Sequence, residues 1–306
     1  MKFSFALPNT VQLKALGNDW ERSVDGAAQT AMIKRADALG YDMVAVPEHF
    51  LVPTEHIELS GAHYFDSATG MAYLAGATDR IRVNSCLTIL PLHNPVLLAK
   101  ALSTIDFMSG GRVTCTFGVG WLKEEFDLLR VPFHERGKMS DEYLAAMVEL
   151  WTSENPSFEG QYVSFKDAAF EPKPVQKPHV PIWMGGDADG PLKRAARYAS
   201  GWIPFLTKEA DIPARIDFIK SQPDYKGGPF DVSYSLVTSA IGEGHVVQDN
   251  PEMHVQRSVQ YYVDRIGQLA DLGVTYTAVP ALEAKSVEAY MDHAQWVMEE
   301  IKPRLS

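Results

Sequence analysis

The sequence has little of what marks several large classes of protein. It contains only two cysteines, Cys86 and Cys115, among 306 residues, and neither has the spacing of a metal or redox motif. This scarcity excludes a disulfide-stabilised scaffold and predicts a protein of the reducing cytoplasm. Basic runs are also missing, and the net charge of −11 argues against a nucleic-acid or anionic-membrane surface.

Long apolar runs are absent as well. No stretch approaches the roughly 20 consecutive apolar residues of a membrane-spanning helix. The opening segment Met1–Phe5 is too short, and too soon followed by Pro8, to read as a signal peptide. Hydrophobic residues make up 46% and charged residues 22%, as in ordinary soluble globular proteins. We therefore expect no membrane partner, and a length that allows one large barrel or two smaller domains.

What the chain does have is a regular alternation of apolar strands and amphipathic helices. The predicted strands are Lys2–Leu7, Asp42–Val46, Ile81–Leu90, Arg112–Phe117, Pro181–Met184, Gly201–Phe205, Val232–Ile241 and Val274–Val279. The predicted helices are Asp25–Leu39, a helix that Asp66 or Ser67 caps and that ends at Ala77, Val96–Met108, Asp141–Trp151, Pro191–Ala199, Ile212–Lys220, Val255–Leu269 and Val287–Ile301. Eight strand-helix units close naturally into a TIM (β/α)8 barrel.

A doubly wound open sheet is the competing fold. It would place a G-x-G-x-x-G turn after the first strand, where this chain has the sequence Leu-Pro-Asn-Thr at 7–10. Two segments, 38–47 and 271–280, both read as a helix end, a glycine, an apolar strand and a proline, which favours a repeating unit. We therefore predict a single (β/α)8 barrel domain over residues 1–306.

Two insertions interrupt this alternation. Pro47–Phe65 is a long loop after the second strand, and residues 155–180 read as a small hairpin followed by an extended, proline-rich linker. In a barrel, long loops that follow strands lie on the face that carries the active site.

Small and polar residues lie within or directly after four of the predicted strands. Singly, each cluster is consistent with a turn, a helix cap or a solvated loop. Together they predict a mouth where the backbone approaches a ligand, and the glycines before the helix at 191 offer free N–H groups suited to a phosphate. The four clusters are Pro47-Glu48-His49-Phe50, Asn84-Ser85-Cys86-Leu87, Gly118-Val119-Gly120-Trp121 and Gly185-Gly186-Asp187.

These residues resemble the luciferase-like monooxygenase superfamily. The resemblance is carried by segments 85–100, 109–113 and 118–121, with 47–50 and 181–186 at the other usual landmarks. It implies a TIM barrel that binds either FMN or the deazaflavin coenzyme F420. The run Gly-Trp-Leu-x-Glu-Glu-Phe at 120–126 is most similar to the F420 branch. The resemblance also implies a homodimer.

The resemblance further implies roles for individual residues. Ser85-Cys86 matches a bulged strand with a non-prolyl cis peptide behind the central ring, Gly118 to Gly120 match a turn beside the ring or ribityl chain, and Gly185 to Asp187 match the phosphate end. The implied cofactor-binding residues are thus Ser85, Cys86, Gly118, Val119, Gly120, Gly185, Gly186 and Asp187.

The implied catalytic residues are Glu48 and His49, which match an acidic residue and histidine beside the reactive edge of the ring. Some relatives carry a catalytic acid where this chain has Trp121, so that role does not transfer, and Glu124 and Glu125 are weaker candidates for it. Phe50, Tyr64 and Trp121 are expected to line the substrate-binding site. Trp183 is a further aromatic residue, for which packing in the core is the more economical interpretation.

The leading functional hypothesis is an oxidoreductase that transfers a hydride between F420 and a small organic substrate. Its close alternative is a two-component monooxygenase that uses reduced FMN and O2 and depends on a separate flavin reductase. A metal-dependent barrel hydrolase is less favoured: His49, His56 and His63 are spaced by seven, but the first strand lacks a His-x-His pair, so we predict no metal site. A non-catalytic flavin-binding protein is the remaining alternative.

Overall fold

Eight parallel strands close into a barrel in the computed structural model, which describes residues 1–12, 17–238 and 254–305. The barrel strands are β1 (Lys2–Phe5), β2 (Met43–Val46), β3 (Arg82–Ile89), β4 (Val113–Gly118), β7 (Ile182–Gly185), β8 (Gly201–Ile203), β9 (Asp231–Val232) and β10 (Tyr276–Thr277). Their order is β10-β1-β2-β3-β4-β7-β8-β9, and a parallel bridge between Ser233 and Tyr276 closes the ring. The predicted TIM barrel is confirmed.

Helices follow the strands and cover the outside of the barrel. They are α1 (Gly26–Leu39), α2 (Ile57–Ser60), α3 (Ser67–Ala77), α4 (Pro95–Ser109), α5 (Lys123–Leu128), α6 (Arg136–Thr152), α7 (Asp189–Tyr198), α8 (Ile212–Lys220), α9 (Val259–Asp271) and α10 (Val287–Trp296). A π-helical turn, Val297–Ile301, continues α10. Within the described ranges, no helix combines the length and apolarity that crossing a bilayer requires.

Capping residues fix the ends of helices α1, α3 and α4. Asp25, Asp66 and Asn94 each accept a hydrogen bond from a backbone N–H in the first turn of α1, α3 and α4. Gly40 and Gly110 end α1 and α4 with φ of 86° and 68°, in the left-handed region where a side chain would be strained.

Several boundaries differ from the sequence prediction. Helix α6 begins at Arg136, five residues before the predicted start at Asp141, because its polar first turn gives no apolar periodicity to detect. Helices α2 and α5, of four and six residues, are too short for that periodicity and were not predicted. Strand β9 ends at Val232, and residues 239–241 of the predicted strand Val232–Ile241 lie outside the described residues.

The insertion at 155–180 contains the predicted hairpin. Strands β5 (Phe158–Glu159) and β6 (Ser164–Phe165) pair antiparallel, apart from the barrel sheet. The carboxylate of Glu142 on α6 accepts hydrogen bonds from the backbone N–H groups of residues 161, 162 and 163, which attaches the hairpin turn to the barrel wall.

The barrel interior is filled by side chains from strands that are not neighbours. Met43 on β2, Trp183 on β7 and Tyr276 on β10 form one buried cluster, so all three project inward. The rings of Trp183 and Tyr276 meet edge to face with centroids 5.1 Å apart. Trp183 is therefore a packing residue of the barrel interior, as the more economical interpretation of the sequence suggested.

The packing of Trp183 requires a glycine at position 201 on the adjacent strand. A Cβ at Gly201 would lie 2.5 Å from Nε1 of Trp183. We expect Gly201→Ala to lower the free energy of unfolding by about 1–3 kcal/mol, as overpacked cores do. Gly76→Ala on α3, whose Cβ would meet nothing within 4 Å, is the matched control. Urea denaturation of both variants is the measurement; equal transition midpoints would contradict this packing argument.

Candidate active site

A bulge interrupts the pairing of β3 with β4 at the mouth of the barrel. Cys86 lies opposite Thr116 and Thr88 lies opposite Phe117, so Leu87 is the extra residue. The peptide bond between Cys86 and Leu87 is cis, one bond after the Ser85-Cys86 pair singled out in the sequence. Cys86 and Leu87 are partly exposed, whereas Ser85 is fully buried and donates its hydroxyl to the carbonyl of Thr116.

Leu87 explains two of the predicted cofactor-binding glycines. A Cβ at Gly118 would lie 2.5 Å from Cδ1 of Leu87, and a Cβ at Gly185 would lie 2.6 Å from its Cδ2. Both glycines are buried beneath this leucine at the ends of β4 and β7. They make room for Leu87 to lie across the strand ends, where it is partly exposed; Val119, directly after β4, is partly exposed as well.

Position 120, the third glycine of this group, requires glycine for a different reason. It has φ of 78°, and a Cβ there would lie 2.6 Å from the ring of Phe126 and 2.8 Å from Ile89. Its carbonyl accepts a hydrogen bond from Nε of Arg136 on α6. The turn after β4 is therefore fixed by packing on one side and by an arginine on the other.

His49 is held by a buried carboxylate from α5. Its Nδ1 lies 2.8 Å from Oε2 of Glu125, whose side chain is 1% exposed. The other oxygen, Oε1, accepts hydrogen bonds from the backbone N–H groups of Phe50 and Leu51 at 2.6 and 3.2 Å. Because a carboxylate only accepts, Nδ1 of His49 carries the proton and a neutral ring keeps Nε2 as an acceptor.

Glu48, next to His49 in the chain, points to a different partner. Its carboxylate is completely buried, and Oε1 lies 2.8 Å from Nε2 of His93. Oε1 also accepts from the backbone N–H of Ile89 at 2.9 Å, and Oε2 accepts from the hydroxyl of Ser67 at 2.5 Å. The mouth therefore contains two separate His-carboxylate pairs, His49 with Glu125 and His93 with Glu48.

Aromatic rings surround both histidines. The His49 ring contacts Tyr64 and Trp121 with centroids 4.7 and 6.2 Å apart, and Phe50 packs edge to face on His93 at 5.1 Å. Burial raises the pKa of Tyr64, and the nearby Glu125 carboxylate raises it further, so this phenol stays protonated. The three predicted substrate-lining residues thus lie around the two histidines.

At the predicted phosphate end, Asp187 organises a loop. Its carboxylate accepts hydrogen bonds from the backbone N–H groups of Phe205, Leu206 and Thr207 and from the Thr207 hydroxyl. The Asp187 carbonyl accepts from Arg215, and the Gly186 carbonyl accepts from the indole of Trp202. The adjacent α7 begins at Asp189 without a side-chain cap.

The histidines spaced by seven have separate partners. His49 pairs with Glu125, Nε2 of His56 lies 3.7 Å from Glu124, and Nε2 of His63 lies 3.0 Å from the carbonyl of Asn9. Across the described parts of the chain, no three His, Cys, Asp or Glu side chains are grouped to hold a metal ion.

Beside this site lies a cavity of about 550 Å³, between the loop after β1 and the insertion after β2. Its wall includes the charged or polar side chains of Asp19, Glu21, Arg22, Glu58 and His63. Burial raises the pKa of Glu21, which also accepts from the Asn18 backbone N–H.

Sequence reasoning missed two residues of the site and undervalued a third. His93 was not considered, although its place between a strand end and the Asn94 cap puts it at the mouth. Leu87 has no distinguishing feature in the sequence beyond its place after Cys86. Glu125 was a weaker candidate, because its pairing with His49 joins residues 76 positions apart.

Comparison with known proteins agrees with this architecture. The profile of the luciferase-like monooxygenase family matches residues 1–279, and the chain belongs to that family. An uncharacterized protein of Mycobacterium tuberculosis is 29% identical over 282 residues, covering 87% of this chain and 92% of its own length.

Two relatives with named activities use different cofactors. An FMNH2-dependent dimethylsulfone monooxygenase of Pseudomonas putida is 32% identical over 165 residues, covering 53% of this chain and 45% of its own. An F420-dependent glucose-6-phosphate dehydrogenase of Microbacterium testaceum is 31% identical over 180 residues, covering 58% and 52%. The family therefore includes oxidoreductases of both cofactor classes near this chain.

Solved structures share the fold. A monooxygenase from Streptomyces bottropensis superposes with a TM-score of 0.75 at 20% identity, covering all of both chains. An F420-dependent secondary alcohol dehydrogenase superposes with a TM-score of 0.74 at 15% identity, covering 100% of this chain and 99% of its own.

The reactivity of the Cys86 thiol tests its environment. Although the residue is partly exposed, desolvation by the groups packed around it raises the pKa of the thiol from 9.0 to about 11, so the folded protein disfavours its thiolate. We expect alkylation of Cys86 by iodoacetamide, followed by peptide mass spectrometry, to accelerate about tenfold per pH unit from pH 8 to pH 10 without levelling. The urea-unfolded chain should level near pH 9. A folded-state profile that also levels near 9 would contradict the described environment.

Proposed function

We propose that this protein is an oxidoreductase that transfers a hydride between coenzyme F420 and a small organic substrate, with His49 as the proton-transfer group. The observation that carries the proposal is the pairing of His49 with buried Glu125 at the barrel mouth. Glu125 belongs to the run at 120–126 that resembles the F420 branch. The named relatives support the cofactor class, and F420 is the choice that this run favours.

The side chains of the mouth suit a planar, phosphate-bearing cofactor. Cys86 and Leu87 are partly exposed at the bulge and would form an apolar floor that holds the ring. The uncapped first turn of α7 would hold the phosphate-bearing chain, and Arg215 partly offsets the acidic Asp189 found there through an ion pair of 3.3 Å. When bound, such a cofactor supplies the carbon that gives or takes the hydride.

The chain's own residues would manage the accompanying proton. Glu125 fixes the tautomer of His49 and orients its ring, so Nε2 can accept a proton from a substrate oxygen or return one. Trp121 and Tyr64 shield the imidazole from water on two sides. Their rings also limit how far it can rotate away from Glu125.

A second candidate is a two-component monooxygenase that uses reduced FMN and O2. The FMNH2-dependent Pseudomonas enzyme supports this candidate, because it is 32% identical to this chain across a region that covers 53% of it. In that case, a separate flavin reductase would be the protein partner that delivers reduced FMN.

Direct cofactor titration decides between the two proposals. We expect purified protein to bind F420 saturably, monitored by fluorescence, and FMN at least about tenfold more weakly, a difference of about 1.4 kcal/mol. Tight FMN binding without F420 binding would replace the first proposal with the second. Binding of neither cofactor would reject both.

Substitution of His49 tests its role. We expect His49→Asn to lower kcat by about 10²- to 10⁴-fold, the usual contribution of a general acid or base, with the cofactor Kd changed less than about threefold. Glu125→Gln keeps an acceptor for the Phe50 and Leu51 N–H groups and removes the charge beside His49, so it should lower kcat. His134→Asn, an exposed histidine, is the control. Full activity of His49→Asn would contradict the assignment.

We also propose that two copies associate through the outer face of α4. Leu97 and Met108 on this helix are 70% and 81% exposed. Lys100 is partly buried, Asp106 is fully buried, and the adjacent α3 has no charged residue. A two-fold contact brings a surface against its own copy, so any charge on that surface meets a like charge. Because the chain has a net charge of −11, a face without exposed charged groups avoids this repulsion.

Sedimentation velocity tests this contact. We expect the protein to sediment as a dimer at micromolar concentration and the Leu97→Asp, Met108→Asp double variant as a monomer, because four carboxylates would face one another across the two-fold axis. Leu128→Asp, which alters an exposed leucine of α5, should stay dimeric. A monomeric parent protein would contradict the proposal.

A further inference from the structure

Glu48 is the most completely enclosed carboxylate of the mouth. Its side chain has no exposed surface, and three protein donors contact it: the Ser67 hydroxyl at 2.5 Å, the Ile89 N–H at 2.9 Å and Nε2 of His93 at 2.8 Å. A substrate would therefore have to displace one of them to reach either oxygen.

Two of these donors connect Glu48 to the end of the β3 bulge. Ile89 follows Thr88, the residue at which regular pairing with β4 resumes. Thr88 is itself 3.1 Å from the Ser67 hydroxyl that donates to Glu48. The Glu48 carboxylate thus holds Ile89 directly and Thr88 through the Ser67 hydroxyl. These are the two residues that follow Cys86 and Leu87.

The third donor joins the helix that follows the bulge. His93 directly precedes Asn94, the residue that caps α4. Its ring packs on Phe50, whose backbone N–H donates to Glu125. Glu48 therefore connects β2, the strand after the bulge, α3 through Ser67 and the start of α4 at one point.

We infer that Glu48 is a positioning residue that holds the Cys86–Leu87 floor in place, and that it does not transfer protons. The inference deepens the proposed function, since the floor is where the cofactor ring would bind. It rests on contacts between groups of the protein itself, so it can be tested without a known substrate.

Two substitutions at one position separate positioning from proton transfer. In Glu48→Gln, the amide oxygen can keep the Ile89 and His93 donors, and the amide NH2 can donate to the Ser67 hydroxyl. The hydrogen-bonded connection survives while the titratable group is lost. Glu48→Ala removes both and leaves buried donors unpaired. A positioning role predicts that Gln rescues and Ala does not; a proton-transfer role predicts that both variants fail equally.

Hydrogen exchange of the cofactor-free protein is the first measurement. We expect the Ile89 amide, in a peptide covering 85–92, to exchange at least about tenfold faster in Glu48→Ala and within about twofold of the parent in Glu48→Gln. Glu154→Ala, an exposed carboxylate beyond α6, is the control and should not change this peptide. Unchanged exchange in Glu48→Ala would overturn the inference. If Glu48→Ala does not fold, Ser67→Ala replaces it, with an expected increase of about threefold and the same overturning result.

Cofactor titration and kinetics are the second measurement. We expect Glu48→Ala to raise the Kd of whichever cofactor binds by at least about tenfold, and Glu48→Gln to keep the parent Kd, kcat and pH profile. A Glu48→Gln variant that exchanges and binds like the parent but loses about 10²-fold in kcat would identify Glu48 as a proton-transfer group and overturn the inference. If the parent binds neither cofactor, the proposed function fails, while the exchange result still decides the role of Glu48.

Discussion

Buried carboxylates must be matched by donors, and this constraint shapes both ends of the barrel. A carboxylate removed from water is unfavourable unless N–H or O–H groups replace the lost hydration. Four such groups, Asp37, Glu48, Asp106 and Glu125, are at most 6% exposed. Each accepts backbone N–H hydrogen bonds from a segment distant in sequence: residues 79–81 for Asp37, the end of β3 at residue 89 for Glu48, residues 175–176 for Asp106 and residues 50–51 for Glu125.

The buried carboxylates have different roles at the two ends of the barrel. Asp37 and Asp106 satisfy loops at the bottom of the barrel, where strands begin, and so serve stability. Glu48 and Glu125 satisfy the mouth, where strands end. Because the two mouth carboxylates also accept from His93 and His49, the same groups that hold the loops fix the histidines. The geometry of the candidate site is thus a consequence of how the barrel satisfies its buried charge.

Much of the fold could be predicted from local patterns. Strand and helix alternation, the caps at Asp25, Asp66 and Asn94, and the glycine at Gly110 depend on residues within a few positions of one another. The short helices α2 and α5 could not be predicted, since four to six residues carry no detectable period. The early start of α6 was missed for a related reason: its first turn is polar.

The candidate site was predictable as a set of strand ends and only partly as a set of contacts. Sequence order placed Glu48 and His49 side by side and suggested a pair. In the barrel, successive residues after a strand point in different directions, so the two side chains contact different helices and loops. The glycines at 118 and 185 likewise suggested direct cofactor contact, whereas the folded chain places Leu87 over both of them.

The sequence by itself determined the barrel, its insertions, the location of the mouth and the absence of basic or disulfide-bonded character, because these follow from periodicity, capping and composition. Only the tertiary structure decided that His49 pairs with Glu125, that Glu48 holds the strand beyond the bulge, and that Trp183 fills the interior. Those outcomes depend on residues tens of positions apart that meet only when eight strands close. The physical reason is that burial and hydrogen-bond satisfaction act on neighbours in space, which a linear pattern does not reveal.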